Sequence, residues 1–175
     1  NEHTYNEEAR DPRRGPWSIG VPGEARGLAE LHRIGGCMAW FDLVEPARAL
    51  AADGFVVERD LAKALERRSE KILSDEGLSA SFSVDGRVLE EGATCRRTAL
   101  GETLAYLQLH GGDALYRGPL ALSLSGFLAN QGLPWTIEDL DSYQVARRDV
   151  LSGTYRGYGV HSMGPPSSGG LVLLE

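Results

Sequence analysis

A chain of 175 residues, 42% of them hydrophobic and 25% charged, has the make-up of an ordinary globular protein and the length to bury one core. Its formal charge of −7 disfavours a phosphate backbone or an anionic membrane as partner, the basic pair Arg13–Arg14 being offset by Glu7, Glu8 and Asp11. No apolar run approaches the roughly 20 residues of a membrane helix; the best stretch, Leu120 to Leu128, is interrupted by Ser123, Ser125 and Gly126.

Residues 1–18 are polar, carry Pro12, Gly15 and Pro16 and show no apolar period, so they read as a linker or arm preceding a folded part at 19–175. The chain opens on Asn1 without an initiator Met or a signal peptide, the look of a processed or excerpted sequence. Pro22-Gly23 then introduces "EARGLAELHRI", a helix with Ala25, Leu28 and Leu31 on one stripe, stopped by Gly35 and Gly36. "AWFDLVEPARALAADGF" has helical spacing up to Gly54, but Pro46 removes a donor and is expected to kink or split it. "RDLAKALERRSEKIL" reads as one surface helix with Leu61, Leu65 and Ile72 inward and a solvated charged face. In "SFSVDGRVLEEG" the pair Asp85-Gly86 suits a tight hairpin, and a plain loop fits as well.

"TALGETLAYLQLHG" resumes the helical period, and "GDALYRGPLALSLSGFLANQG" gives a turn and a further helix entered at Gly118-Pro119 and left at Gly132. Thr136 stands three residues before Asp139, close to a capping box, and predicts a short helix. After Tyr143 the period becomes two: "YQVARRDVL" and "GTYRGYGVHSM" read as antiparallel strands joined through "LSG", with "GLVLLE" starting another helix. The fold class expected is α+β, a helical first part followed by an antiparallel strand pair.

Several residues invite chemistry. A hydrolytic triad has material in Ser167 or Ser168, His161, and Asp149 or Asp141, yet no G-x-S-x-G elbow is present and His161 alternates with Val160 along a strand. No histidine or cysteine stands at i+3 or i+4 of His32 or His110, so no metal site is assigned. Cys37 and Cys95 stand in no metal spacing, and two cysteines leave the redox compartment open. "PPSSGG" fits an anion site at a helix start. It fits better a strand exit in which the prolines end the strand, Ser167 or Ser168 caps the helix, and Gly169 and Gly170 let its backbone pack on the sheet. On the residues alone no group in this chain is assigned a catalytic or substrate-binding role.

The segment "LSGTYRGYGVHSMGPPSSGG" resembles the LSG-x-YRGY-x-V-x-SMPPPSSGG run of gamma-glutamyltranspeptidases. "SIGVPGEARGLAELHRIGG", "MAWFDLVEPARALAADGFVV", "GGDALYRGPLA" and "TIEDLDSYQV" resemble further blocks of that family in the family's order, from Ser18 onward. The resemblance implies an N-terminal-nucleophile fold, two sheets between helical layers, made as a proenzyme that cleaves itself into large and small subunits. It implies an N-terminal Thr that attacks the gamma-glutamyl amide of glutathione or a related donor, its own α-amine serving as base, with water, an amino acid or a peptide as acceptor. No metal or organic cofactor is implied, and an extracytoplasmic location is.

By the same resemblance the chain is the middle of the large subunit, incomplete at both ends, with the rest of that subunit and the Thr-initiated small subunit as partners. The family's R-E-x-x-P arginine has no counterpart before Ser18, and its nucleophilic Thr, glutamyl-binding serine pair and oxyanion glycines belong to the small subunit, so the chain alone is expected to be inactive. Pro166, Ser167, Ser168, Gly169 and Gly170 are carried over as structural positions supporting the site, without a role in the chemistry. Gly164 stands where the family run has proline, and Cys37 where an arginine is common. Related acylases, of the cephalosporin acylase or capsule depolymerase kind, are the alternative reading, and a non-catalytic scaffold of the same fold is another.

Overall fold

A computed structural model describes residues 18–133 and 135–174. The arm expected at 1–18 lies outside the described residues, Ser18 excepted. The chain forms two compact units, the first running to Tyr143 and the second starting at Gln144.

The first unit opens with α1 (Glu24–Gly35), whose acidic first residue suits a helix N-terminus and whose last turn closes through the Gly36 amide on the His32 carbonyl at 2.7 Å. The expected inward stripe is not inward. Leu28 and Leu31 are 51% and 65% exposed, whereas Arg26 is only 9% exposed. Polar partners from later segments hold Arg26, and they fix which side of α1 is buried.

Helix α2 (Trp40–Asp53) runs through Pro46 without splitting, one of the two outcomes expected there. The reason is its neighbour α6 (Thr98–His110), which binds α2 on both sides of the proline. Before it, the Trp40 indole donates to the Leu107 carbonyl at 2.9 Å and the Gln108 amide donates to the Phe41 carbonyl at 2.9 Å. After it, the Arg97 amide donates to the Ala51 carbonyl at 2.8 Å, and Gly101 lies so close to Ala52 that a Cβ would sit 3.0 Å from the alanine methyl. Packing of this extent outweighs one missing helical hydrogen bond.

Next come β1 (Phe55–Val56), α3 (Arg59–Glu66), α4 (Ser69–Ser74), α5 (Glu76–Phe82), β2 (Ser83–Val84), β3 (Arg87–Val88) and β4 (Thr94–Cys95). The single helix expected over 59–73 is thus two, broken at Arg67–Arg68, where the Arg68 amide reaches the Leu65 carbonyl in a tighter i−3 bond. The break still delivers Leu65 and Ile72 to one core, with Val57, Leu89 and Cys95. Helix α5 was not anticipated; its cap is Asp75, whose carboxylate accepts the Leu78 amide at 2.9 Å. Asp85-Gly86 resolves as a two-residue hairpin, with φ of 52° and 75° and Val84 opposite Arg87, the both-positive geometry that suits right-twisted strands. Strand β4 pairs antiparallel with β1, Phe55 opposite Cys95.

A 3₁₀ turn (Gly112–Leu115) leads from α6 to α7 (Pro119–Asn130), and α8 (Ile137–Asp141) follows with the expected capping box between Thr136 and Asp139. Buried Tyr116, Ala121, Leu128 and Leu140 mark the core of this part. No described helix is long and apolar enough to cross a membrane.

The second unit is a hairpin, β5 (Val150–Tyr155) with β6 (Tyr158–Met163), followed by α9 (Gly169–Leu174). Its turn is Arg156-Gly157, both at positive φ (49° and 84°), not "LSG"; residues 151–153 lie inside β5, and Gly153 faces Val160. Gly153 is a packing glycine: a Cβ there would meet the Leu174 methyl at 2.7 Å. Residues 144–149, expected within the first strand, form no regular structure. Among the described residues, strands occur only as antiparallel pairs amid helices.

Candidate functional site

Two constellations concentrate polar groups. In the first unit the Arg26 guanidinium donates from Nε to Asp113 Oδ1 at 2.7 Å, and from Nη1 to the Asp141 carbonyl at 3.1 Å and to the Tyr143 carbonyl. It lies over the Tyr116 ring, 4.3 Å from the centroid, and that ring stacks on Tyr143. The Tyr116 hydroxyl donates to the Pro22 carbonyl at 2.5 Å and accepts the Arg26 amide at 3.3 Å. Burial pushes the Tyr116 phenol up, so this hydroxyl stays protonated and keeps its donor role. Gly23 sits against the Tyr143 hydroxyl and Gly112 against the Ala25 carbonyl, positions where a side chain has no room. A planar fork with several donors suits this place, where carboxylate, carbonyls and a ring face must be met at once. Asp141 is also paired with Arg117.

On the neighbouring α2–α6 contact, Glu45 accepts from Arg48 and from the Gln108 amide, at 2.5 and 2.8 Å, and these bonds hold its carboxyl down to about 2. An open cleft of about 760 Å³ between α3–α4 and the β2–β3 hairpin is lined by both charge signs, including Lys63, Glu66, Arg87 and Glu90, and by no histidine or cysteine.

In the second unit His161 Nδ1 is 2.9 Å from Ser152 Oγ, its partner across the ladder. That pair replaces the triad weighed from the sequence: the hydroxyl on His161 belongs to Ser152 and not to Ser167 or Ser168, and Asp141 is engaged by arginines in the first unit. Past the strand, the Pro165–Pro166 peptide is cis, the Ser167 amide returns to the Gly164 carbonyl at 3.2 Å, and the Ser168 carbonyl accepts the Val172 amide at 3.1 Å. Gly170 is pressed against the Met163 carbonyl, whereas a Cβ on Gly169 would meet only Ser167 Oγ at 3.7 Å. His32 and His110 are held locally, His32 Nε2 at 2.7 Å from the Met38 carbonyl and edge-on to Trp40, His110 tilted over Tyr106. Cys37 is exposed and Cys95 buried, both as free thiols, with burial pushing the Cys95 thiol up. No cluster of three potential metal-ligating side chains occurs among the described residues.

The gamma-glutamyltranspeptidase family profile matches residues 1–175, the whole chain. The chain belongs to the gamma-glutamyltranspeptidase family. It is 39% identical over 165 residues to "Glutathione hydrolase 3" of Arabidopsis thaliana, covering 94% of this chain and 26% of that protein. The gamma-glutamyltranspeptidase of Helicobacter pylori superposes with a TM-score of 0.85 at 31% identity, over 93% of this chain and 47% of that one. The cephalosporin acylase of Bacillus halodurans superposes at 0.77 with 27% identity, over 91% of this chain and 31% of that one. The chain thus spans less than half the length of each. These likenesses fix the fold class as that of the N-terminal-nucleophile hydrolases.

Within this gamma-glutamyltranspeptidase segment, three of the blocks quoted from the sequence meet at Arg26. "VPGEARG" supplies Pro22, Gly23 and Arg26, "GGDALYRG" supplies Gly112, Asp113 and Tyr116, and "TIEDLDSY" supplies Asp141 and Tyr143. Sequence reasoning missed this convergence because apolar spacing assigns α1 its inner face, and a buried arginine opposes that signal. The pointer available was Gly23, just ahead of Glu24–Arg26, where the backbone comes up against Tyr143.

Proposed function

We propose that this chain is a large-subunit segment of an enzyme that hydrolyses or transfers gamma-glutamyl groups, glutathione being the donor class, and that the nucleophile is an N-terminal Thr supplied by polypeptide outside these 175 residues. The match across the whole length of the chain to the gamma-glutamyltranspeptidase profile carries the reading; relatives named as glutathione hydrolases, including a proenzyme of Escherichia coli, support it. The distribution of side chains agrees with a scaffold role. Serines 167 and 168 are outside hydrogen-bond contact with His161, and aliphatic and aromatic residues such as Leu31, Ile34 and Phe127, 58–65% exposed, form faces suited to further polypeptide. Pro166 to Gly170 then act as structural positions that turn the chain from β6 into α9. The partners are the remainder of the large subunit and the small subunit, and the complete protein works outside the cytoplasm.

The test is turnover of a chromogenic gamma-glutamyl anilide. The expected outcome is no release of the anilide by this chain and release by the protein from the complete reading frame, lost on replacing its Thr nucleophile; hydrolysis by the 175 residues alone overturns the reading. The likeness to the Bacillus halodurans acylase favours a second reading with the same nucleophile and a different acyl group. The complete protein's preference between a gamma-glutamyl anilide and a cephalosporin side-chain amide decides between them.

A further inference from the structure

We infer that the open face of the β5–β6 hairpin is the surface on which a second sheet is laid in the complete protein, with Ser152 and His161 as a hydrogen-bonded polar pair inside that contact. This rests on the reading of the chain as a segment of a longer polypeptide, and it names the surface through which the rest is joined. The register divides the hairpin into two faces. Leu151 and Gly153 stand opposite Ser162 and Val160, and these residues are half-buried. Helix α9 covers that side: a Cβ on Gly153 would meet the Leu174 methyl at 2.7 Å, and one on Gly170 would lie 3.1 Å from Ser162 Oγ. The alternate residues, Val150, Ser152 and Thr154 opposite Met163, His161 and Gly159, form the other side and are exposed, Val150 by 62% and Met163 by 64%.

This open face carries no Asp, Glu, Lys or Arg. The exposed side of α3, by contrast, is Arg59, Asp60, Lys63 and Glu66, the make-up of a surface left to water. A sheet face of β-branched, small and thioether side chains without full charges is one that packs. The fold class says against what. In it helices lie on the outer face of each sheet and the inner faces meet. With α9 on one side of the hairpin, the side of Val150 and Met163 is the inner one. The described residues supply no second sheet for it, since their other strand pairs are two residues long. More than half the length of the relatives lies outside this chain, and the occupant is a sheet built from that polypeptide.

A hydroxyl and an imidazole are enclosed without large cost only when bonded. Ser152 Oγ and His161 Nδ1, 2.9 Å apart across the ladder, meet that condition between themselves. His161 Nε2 lies over Gly159, 3.6 Å from where a Cβ would stand, and is the ring atom left for the covering sheet to bond.

The experiment treats this chain and the protein from the complete reading frame with diethyl pyrocarbonate, which acylates imidazole nitrogen, and with dilute hydrogen peroxide, which converts Met to its sulfoxide. Peptide mass spectrometry reads each site. In this chain His161 and Met163 are expected to react within about threefold of their rates in urea, and in the complete protein at least about tenfold slower at every protein concentration. Unfolded-chain rates in the folded complete protein overturn the proposal, as does protection already present in this chain. Protection that disappears on dilution also overturns it, because the occupant is then a second copy. A photo-crosslinking phenylalanine analogue in place of Met163 is expected to capture a segment outside these residues, and capture within residues 18–174 counts against the second sheet. Ser152→Ala leaves His161 Nδ1 unbonded and is expected to speed Met163 oxidation about tenfold in the complete protein, with little change in this chain; an unchanged rate in the complete protein overturns the enclosed pair. Anilide turnover by the same samples keeps the functional reading separate: an active protein with a reactive His161 sinks the interface alone, and an inactive one with a protected face sinks the activity alone.

Discussion

Arg26 gathers more of the first unit than any aliphatic side chain near it, since one guanidinium holds a carboxylate, two backbone carbonyls and a ring face from segments about 90 to 117 positions away in the chain. The partners are unequal in worth. The Asp113 side chain is 63% exposed against 10% for Arg26, so water replaces much of what that ion pair provides. The bonds to the carbonyls of Asp141 and Tyr143 are part-buried, beside the Tyr116–Tyr143 stack, so water replaces less of them. Arg26→Met, which keeps the stem and removes the donors, is therefore expected to lower unfolding free energy by roughly 3 kcal/mol. Asp113→Asn is expected to cost less than about 1 kcal/mol. Urea denaturation of both variants checks the split, and equal losses would mean that the ion pair dominates and the carbonyl bonds do not.

At the scale of elements, α9 shows how a glycine pair divides its labour. Gly170 touches the Met163 carbonyl and Ser162 Oγ, whereas Gly169 faces open space apart from Ser167. Gly170→Ala forces α9 away from β6 and is expected to cost about 1–3 kcal/mol of docking, seen as loss of amide protection in both elements by NMR. Gly169→Ala at the helix start is expected to be neutral or to stabilise by up to about 1 kcal/mol through the unfolded chain. Identical behaviour of the two variants would contradict this assignment. Such pairs also show what was legible beforehand. Helix starts at Glu24, Pro119 and Thr136 and the Asp85-Gly86 turn were readable because their signals are local: a cap, a proline, a left-handed pair. The unbroken α2, the divided α3–α4 and the turn at Arg156-Gly157 depend on what α6, the Val57 core and Leu174 press against, and a one-dimensional period carries none of that. The candidate site followed the same rule. The family blocks were visible as strings, while their meeting at Arg26 is a tertiary fact that the exposed stripe Leu28–Leu31 actively disguised.

For the whole molecule, the two units differ in how much each can hold by itself. The first has a core cluster around Val57 and a second buried group around Tyr116 and Leu140. The second, from Gln144 onward, has buried Gly164 and Gly170 but no buried large side chain among its described residues, and it falls below the ~40 residues at which domains stand without a staple. A lone two-stranded ladder is marginal in water, and here Val150, Tyr155, Tyr158 and Met163 stay 62–76% exposed. Hydrogen exchange followed by mass spectrometry is therefore expected to find β5 and β6 amides exchanging at least about a hundredfold faster than those of α2 and α6, which open only with the core. Equal protection would show that the hairpin gains its stability from the first unit. The same measurement on the protein from the complete reading frame extends the argument. If the exposed ladder is a piece of a larger sheet awaiting neighbours, its protection rises to that of α2 and α6 there, and if it remains fast, the scaffold role proposed for this hairpin fails while the family assignment stands.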